Sequence, residues 1–323
     1  MKLNGVSHKE VYTALGISKQ AVHTHIQRES RYLDVMSQLE ILLKQIRYDH
    51  PVMGLRKIHD MLKGCGIGRD RFECHFLALG FGVEQKKNYR RTTDSRGVTR
   101  FDNLIKDLQL FRPDQVWASD ITYFAIGNRF YYLTFIIDLY THRILGYSVS
   151  SNLQTVCTTM PALQMAIRCR GYSKKNKPVG LIFHSDGGGQ YYCKEFVGIL
   201  RELNIASSMA EDVWENSTAE RLNGIIKNEY LIHRQIGNIR DLTKEVDRTI
   251  QLYNNKRGHS SIKNHTPIKF EEKLLSLQRN KEPKVKKLID GNSGRKGHRA
   301  PFLPGNKKPQ ARNLSLEIQP AGI

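Results

Sequence analysis

Val116-Trp117-Ala118-Ser119-Asp120-Ile121-Thr122-Tyr123 is a run of aromatic and β-branched residues interrupted by one carboxylate. It opens a longer pattern in which Gln115 to Ile126, Arg129 to Leu139 and Arg143 to Val149 are separated by short turns such as Gly127-Asn128. Runs of this composition between turn residues read as a three-stranded antiparallel meander. Thr155 to Cys169 then reads as a helix, and Val179 to Phe183 as a buried strand running out to Asp186. Cys193 to Leu203 (helix), Ile205 to Met209 (strand) and Ser217 to His233 (helix) complete the pattern. Strands first, then helices alternating with strands, predict an α/β region: a mixed five-stranded sheet covered by helices.

Two further carboxylates stand where such a sheet would present them. Asp186 lies in Phe183-His184-Ser185-Asp186-Gly187-Gly188-Gly189-Gln190-Tyr191, and Glu220 in Asn216-Ser217-Thr218-Ala219-Glu220-Arg221-Leu222-Asn223. With Asp120, each borders an apolar stretch. Two Asp at strand ends and one Glu on a helix form an oxygen donor set suited to Mg²⁺ held against a phosphodiester. That chemistry needs an activated oxygen, charge stabilisation at phosphorus and help for the leaving oxygen. Two metal ions supply all three without a Ser or Cys nucleophile. Each residue also has a plain structural reading. Asp is common in turns after strands, and Glu220 stands three after Ser217, the spacing of a capping box. Asp138, Glu215 and Glu229 are competing carboxylates. His184 reads as packing, and Gly187-Gly188-Gly189 as either a phosphate cradle or a tight turn.

Composition narrows the partner. Among 323 residues, 39% hydrophobic and 25% charged content are ordinary for a globular protein, whereas a net charge of +20 is not. Residues 1–110 carry +7, residues 111–273 carry +5, and the last fifty carry +8 from 11 Lys and Arg against 3 Asp and Glu. Basic flanks around a more balanced centre fit a catalytic region gripped onto a polyanion. The longest apolar run, Tyr131 to Ile137, is too short to span a membrane. The first residues lack an apolar signal core, and five cysteines without paired spacing indicate reduced thiols in a cytoplasm. His59, Cys65, Cys74 and His75 match no usual zinc spacing.

Four regions are expected: a helical DNA-binding region over 1–83, a basic linker over 84–110, a catalytic core with C-terminal helices over 111–275, and a basic disordered tail over 276–323. In the first, His8 to Leu15 and Lys19 to Arg28 read as a helix-turn-helix capped at Ser18, with Val11, Leu15, Ile17, Val22 and Ile26 packed inside. Lys19, Gln20, His23, Thr24 and Gln27 then face DNA. A second helical unit follows, with Leu33, Met36, Leu39, Leu42 and Ile46 on one stripe. Lys86, Lys87, Arg90, Arg91, Arg96 and Arg100 mark the linker. Near the third carboxylate, Asn223 and Lys227 share a helix face with Glu220 and are expected to touch DNA, and Trp214 to stack on an unpaired base or anchor packing.

Trp117 to Tyr123, His184-Ser185-Asp186 with Gln190-Tyr191, and Ala219-Glu220-Arg221-Leu222 with Lys227-Asn228-Glu229 together resemble the DDE transposases of bacterial insertion sequences. Tyr253-Asn254-Asn255-Lys256-Arg257-Gly258-His259-Ser260, Thr266-Pro267 and Phe270 resemble the closing signature of the group with a retroviral-integrase-type core, often made from a second reading frame. The likeness covers residues 45 to 275. It implies a ribonuclease-H-like core whose first and fourth strands lie side by side, bringing Asp120 and Asp186 together while a later helix adds Glu220. It also implies two Mg²⁺ ions, with Mn²⁺ as a substitute, Asp120 bridging them, Asp186 on one and Glu220 on the other. The implied activity is strand cleavage at element ends and transfer of the 3′-hydroxyl into target DNA, in the bacterial nucleoid. Terminal inverted repeats, target DNA, further copies of the chain and a small helix-turn-helix protein are the implied partners. The stretch between Asp186 and Glu220, 33 residues, is a little shorter than the family's usual. Glu215-Asn216 stands where Asp-Asn is usual, and Gly187 where a larger polar residue is usual. A DNA-binding remnant without catalysis, and a ribonuclease-H-type nuclease, are the alternatives; the basic flanks weigh against the second.

Overall fold

Ser7 starts the first helix with a reciprocal cap: its hydroxyl accepts from the Glu10 N–H, and its own N–H donates to the Glu10 carboxylate at 2.7 Å. In this computed structural model, residues 2–3, 6–62, 64–83, 101–210 and 213–281 are described. The linker cations Lys86 to Arg100 and the tail from 282 lie outside that set, as do the side chain of Trp214 and residues 211–212 of the shortened loop. A short hairpin, β1 (Lys2–Leu3) and β2 (Val6–Ser7), precedes α1 (His8–Ala14).

Ser18 caps α2 as expected, accepting from the Ala21 N–H. The helix does not stop near Arg28: α2 runs from Lys19 to Asp49, because no Gly or Pro interrupts Glu29 to Leu33. It ends at His50, whose successor Pro51 disfavours helical backbone. The five residues expected to pack the helix-turn-helix fare differently from that expectation. Leu15 is 65% and Ile26 58% exposed, Val11 and Ile17 are exposed too, and Val22 alone is half-buried. Among the described residues none of the five enters an apolar cluster. Further along α2, Leu33 and Leu42 are exposed, while Met36, Leu39 and Leu43 are buried. These pack with α3 (Leu55–Met61) and α4 (Arg69–Ala78) through Ile58, Phe72 and Phe76. His59 in that unit bonds the Ile67 carbonyl at 2.8 Å, so it serves packing.

The core sheet is built as its composition demands. β3 (Val116–Ile126), β4 (Arg129–Asp138) and β5 (Ile144–Ser150) form the antiparallel meander. β6 (Ile182–Ser185) and β7 (Ala206–Met209) add in parallel on the other side of β3, giving the order β5-β4-β3-β6-β7. This is a ribonuclease-H-like mixed sheet. Successive residues on a strand point to opposite faces. Trp117, Ile136 and Leu145 therefore enter one apolar cluster with α5 (Thr159–Arg170) and α6 (Lys194–Glu202). Ala118, Phe135 and Ile144 enter another with α7 (Ser217–Gly224) and α8 (Ile239–Asn255). Residues 101–110, expected as linker, begin against the β7 edge: Leu104 N–H donates to Ser208 at 2.9 Å, and Phe101 lies 5.5 Å from Tyr192, ring to ring.

Asp138 is structural. Fully buried at the end of β4, it accepts from the N–H groups of Asp114, Tyr140 and Thr141 at 2.6, 2.9 and 2.8 Å. Beside it Arg170 reaches Asp114 at 2.8 Å and Glu271 of α9 (Pro267–Lys281) at 2.6 Å. The foot of α2 also joins the core. Asp49 pairs with Arg248 at 2.7 Å, and His50 Nδ1 is hydrogen-bonded to the Tyr230 hydroxyl at 2.8 Å. The described residues up to Asn280 thus form one compact unit.

Gly146 shows how closely α5 lies on β5. A Cβ there would stand 2.1 Å from the Ala162 carbonyl oxygen and 2.8 Å from the Ala166 nitrogen, both helix backbone. Gly146→Ala is expected to cost at least about 2–3 kcal/mol by forcing the helix off the sheet. Urea denaturation that leaves the midpoint unchanged would show that α5 gives way freely.

Candidate active site

The parallel ladder between β3 and β6 spans four residues, from Val116 opposite Ile182 to Ser119 opposite Ser185. The next residues are Asp120 and Asp186. Register alone therefore sets two carboxylates abreast at the point where the strands part. Among the described residues β3 continues beyond with β4 alone beside it, leaving Asp120 half-buried in a notch. Glu220 comes from the exposed first turn of α7, four residues after Asn216. Asn216, not Ser217, is the N-cap residue, and no side-chain cap bond forms there, so the capping-box role for Glu220 is not realised.

Fixed donors orient both aspartates. Asn223 Nδ2 donates to Asp120 Oδ2 at 2.8 Å, and the Ile121 N–H donates to Oδ1 at 2.8 Å. The Gly188 N–H donates to Asp186 Oδ1 at 3.1 Å, so that amide of the glycine turn serves the aspartate itself. Asn216 Nδ2 donates to the Ser119 carbonyl at 2.9 Å, tying the start of α7 to the residue before Asp120. Beneath, the Ser119 hydroxyl meets Tyr191 at 2.9 Å inside the sheet.

The electrostatics follow from crowding like charges in a poorly hydrated notch. Burial pushes Asp120 up to about 7; the charges of Asp186 and Glu220 add to the rise, against the Ile121 N–H and the Asn223 amide. Burial also raises Asp186, opposed by the Gly188 N–H. Glu220 is raised by partial desolvation and then by Asp186. Among the described residues, no group of three His, Cys, Asp or Glu side chains stands close enough to hold a metal ion. Asp120 and Asp186 are side by side, and Glu220 is within reach of their charge but outside a closed ligand cluster. An all-oxygen set whose ionised forms are disfavoured by mutual repulsion is the chemistry a divalent cation relieves, so the residues fit Mg²⁺.

Asn223 and Lys227, expected on DNA, are engaged inside the protein. The helix bearing them does not run unbroken to His233: after Gly224 it widens into a π-helical turn, Ile225–Tyr230. The Lys227 amine donates to Thr122 Oγ1 at 3.0 Å and stands 4.9 Å from the centre of the Tyr123 ring. Burial lowers its pKa, and the Asp120 charge opposes that. Thr122 and Tyr123 were legible only as strand residues, although they flank Asp120 in the quoted motif. Of the competing carboxylates, Glu229 is held by Arg257 at 2.9 Å, and Glu215 lies against the buried His184. His184 bonds Ser208 at 2.9 Å and is lowered to about 4 by burial, a packing role. Lys19, Gln20 and His23 stand exposed on the first turns of α2, far along the chain from the carboxylates, with His23 bonded to Gln27 at 3.1 Å.

Comparison with known proteins agrees with the sheet. Residues 111–212 and 202–267 match the integrase core domain family. The uncharacterized 31 kDa protein of insertion element IS600 from Shigella sonnei is 32% identical over 274 residues, covering 81% of this chain and 97% of that protein. The transposase for insertion sequence element IS629, also from Shigella sonnei, is 30% identical over 241 residues, 72% of this chain and 79% of its own. Among solved structures, the magnesium-bound HTLV-2 integrase catalytic core covers 49% of this chain and 96% of its own at 21% identity. Its TM-score of 0.38 is too loose to place residues. The chain belongs to the bacterial insertion-sequence DDE transposases, whose catalytic region is an integrase core domain.

The raised Asp120 has a consequence for stability. A carboxyl held above its unfolded value of 3.8 stabilises the fold fully below that value and loses the contribution as pH rises through about 7. In the absence of divalent cations, Asp120→Asn should therefore gain on wild type between pH 5 and 8, by on the order of 1 kcal/mol or a few degrees of Tm. Thermal melts that stay parallel across this range would show that Asp120 ionises unhindered.

Proposed function

We propose that this chain cuts DNA at the ends of an insertion element and joins the exposed 3′-hydroxyl to target DNA, using Asp120, Asp186 and Glu220 to hold two Mg²⁺ ions. Mn²⁺ is a suitable substitute. The observation that carries this reading is the register of β3 against β6, which sets Asp120 beside Asp186 at an open notch in a chain of net charge +20. When bound, the cations supply charge neutralisation at phosphorus and activation of the attacking and departing oxygens.

The protein's own residues then have distinct tasks. The charges of Asp186 and Glu220 both reach Asp120, so the three carboxylates would hold the ions as one set. Asn223 and the Ile121 N–H fix the two Asp120 oxygens and limit rotation of the carboxylate. Lys227, beside Thr122 on the same strand, offers its amine to a non-bridging phosphate oxygen. Lys19, Gln20 and His23 would read the terminal inverted repeats, and the basic residues flanking the core would grip phosphates in a salt-dependent way. Region 1–83 thus serves end binding, 84–110 linkage, 111–275 chemistry and 276–323 additional electrostatic affinity. Two element ends have to meet, so a dimer or larger assembly on DNA is the working form, with a small helix-turn-helix protein as a possible companion. No helix among the described residues is long and apolar enough to cross a membrane. The bacterial nucleoid is the compartment this function requires.

Cleavage and joining of labelled DNA carrying the ends that flank this gene test the reading. With Mg²⁺ or Mn²⁺, wild type should give nicked and joined products that EDTA abolishes, and Glu220→Gln should lose at least about a hundredfold. Equal activity of Glu220→Gln would remove Glu220 from the ligand set. End binding without cleavage under any metal would favour a catalytically dead remnant.

A further inference from the structure

The helical unit of α3 and α4 meets the core at a cleft of about 320 Å³, lined by Arg56, Lys57 and Glu73 from the one and by Glu229, Tyr230 and Arg257 from the other. Its charges are unevenly matched. Glu73 holds Arg56 at 2.9 Å, and Glu229 holds the buried Arg257 in a fork at 2.9 and 3.1 Å. Three cations thus share two carboxylates, and both carboxylates are occupied by guanidinium groups. Among the described residues the Lys57 amine makes no ion pair and no hydrogen bond, and neither does the exposed Arg221 guanidinium on α7. His50 adds no charge to the cleft, because burial lowers it to about 4. Lys57 itself is half-buried. Desolvation and then the Arg257 charge lower its pKa, Glu229 opposes them, and the Arg221 charge lowers it further.

We propose that this cleft binds one phosphate group, with Lys57 as its donor, Arg257 as a fixed charge in its wall and Arg221 at its rim. The proposal rests on the transposase reading only for the source of the phosphate, the backbone of bound DNA. The cleft is separate from the carboxylate notch: α3, the turn at Tyr230 and the chain after α8 supply none of the three carboxylates. A lysine that merely covers apolar surface turns its amine out to water. Lys57 is instead held where burial and two guanidinium groups oppose its charge, and a half-buried cation is costly until a counter-charge meets it. A phosphate oxygen supplies that counter-charge, accepting from an ammonium that acts as a point charge. Arg257 stays where Glu229 and, at 3.3 Å, His259 hold it, so the Lys57 amine brings the free donors. In a chain of net charge +20 a DNA backbone is the phosphate at hand. Held there, it is gripped by the helical unit and the core together.

Binding of labelled duplex DNA over a range of salt concentrations tests the site, with Ca²⁺ in place of Mg²⁺ so that binding is read without cleavage. Each phosphate contact contributes about one to the slope of log K against log salt. Lys57→Gln should lower the slope by about one and weaken ends and unrelated duplexes alike, whereas Lys57→Arg should keep both. Lys174→Gln removes the same charge from a surface pair with Glu202 at 3.1 Å and should leave the slope unchanged. A second arm compares inorganic phosphate with chloride at equal ionic strength. Phosphate stabilises folded proteins in general, so the readout is the difference between variants: wild type and Lys57→Arg should gain about 2 °C of Tm more than Lys57→Gln. That difference without a change of slope keeps the site and assigns it to a free anion. Lys57→Gln unchanged in both arms overturns the site, and so do equal slope changes in Lys57→Gln and Lys174→Gln, which mark a diffuse field in place of a contact. Wild type that binds no duplex yet keeps the Lys57-dependent phosphate response overturns the transposase reading and leaves the cleft standing.

Discussion

Four pairs of residues between two parallel strands govern this molecule. The ladder from Val116–Ile182 to Ser119–Ser185 is short, and its last rung is followed at once by Asp120 and Asp186. Parallel pairing cannot be made by a tight turn, so the chain crosses the sheet through α5 before returning as β6. That crossover is held down where Gly146 lets the α5 backbone rest on β5. A slip of one residue in the ladder would send one aspartate to the opposite face. The buried alternation of Trp117, Ala118 and Phe183 forbids the slip, because each would leave its apolar cluster. Apolar packing thus holds two like charges together that would otherwise separate.

Around that constraint, polar side chains do the fine positioning. Asn216 ties α7 to the Ser119 carbonyl, and Asn223, seven residues on, reaches the carboxylate of the following residue. One short helix is therefore registered to one strand at two points flanking Glu220. The same economy appears away from the notch. Arg170 joins α5, the start of β3 and α9 by bonding Asp114 and Glu271 beside buried Asp138. Removing one partner from such a cluster leaves uncompensated buried charge, so these groups stand or fall together.

Much of this was legible in the residues. The strand limits followed from β-branched and aromatic runs broken at Gly127-Asn128, and the five-strand pattern followed from order. Ser18 marked a helix start through side-chain chemistry, whereas the Ser7–Glu10 cap emerged with the structure. Other features depended on partners distant in the chain. Arg170 and Glu271 are 101 residues apart, and nothing local in either segment announces their pairing. Asn223 reads as a surface helix residue until α7 is laid on β3. Leu42 and Leu43 are equally apolar, and which one is buried depends on where α3 and α4 cross α2. The long α2 was divided on the expectation of a compact helix-turn-helix, although Glu29-Ser30-Arg31-Tyr32 contains no helix breaker. The widened turn at Ile225–Tyr230 has no sequence signal beyond Gly224 before it.

The account stands on cations being held by Asp120, Asp186 and Glu220, and direct counting of bound Mn²⁺ by electron paramagnetic resonance tests that most closely. Wild type at pH 8 should bind two ions that Mg²⁺ displaces. Asp120→Asn, which removes the carboxylate facing both others, should lose both, and Asp186→Asn should lose one or weaken both. Mn²⁺ binding of unchanged number and strength in Asp120→Asn would contradict the account.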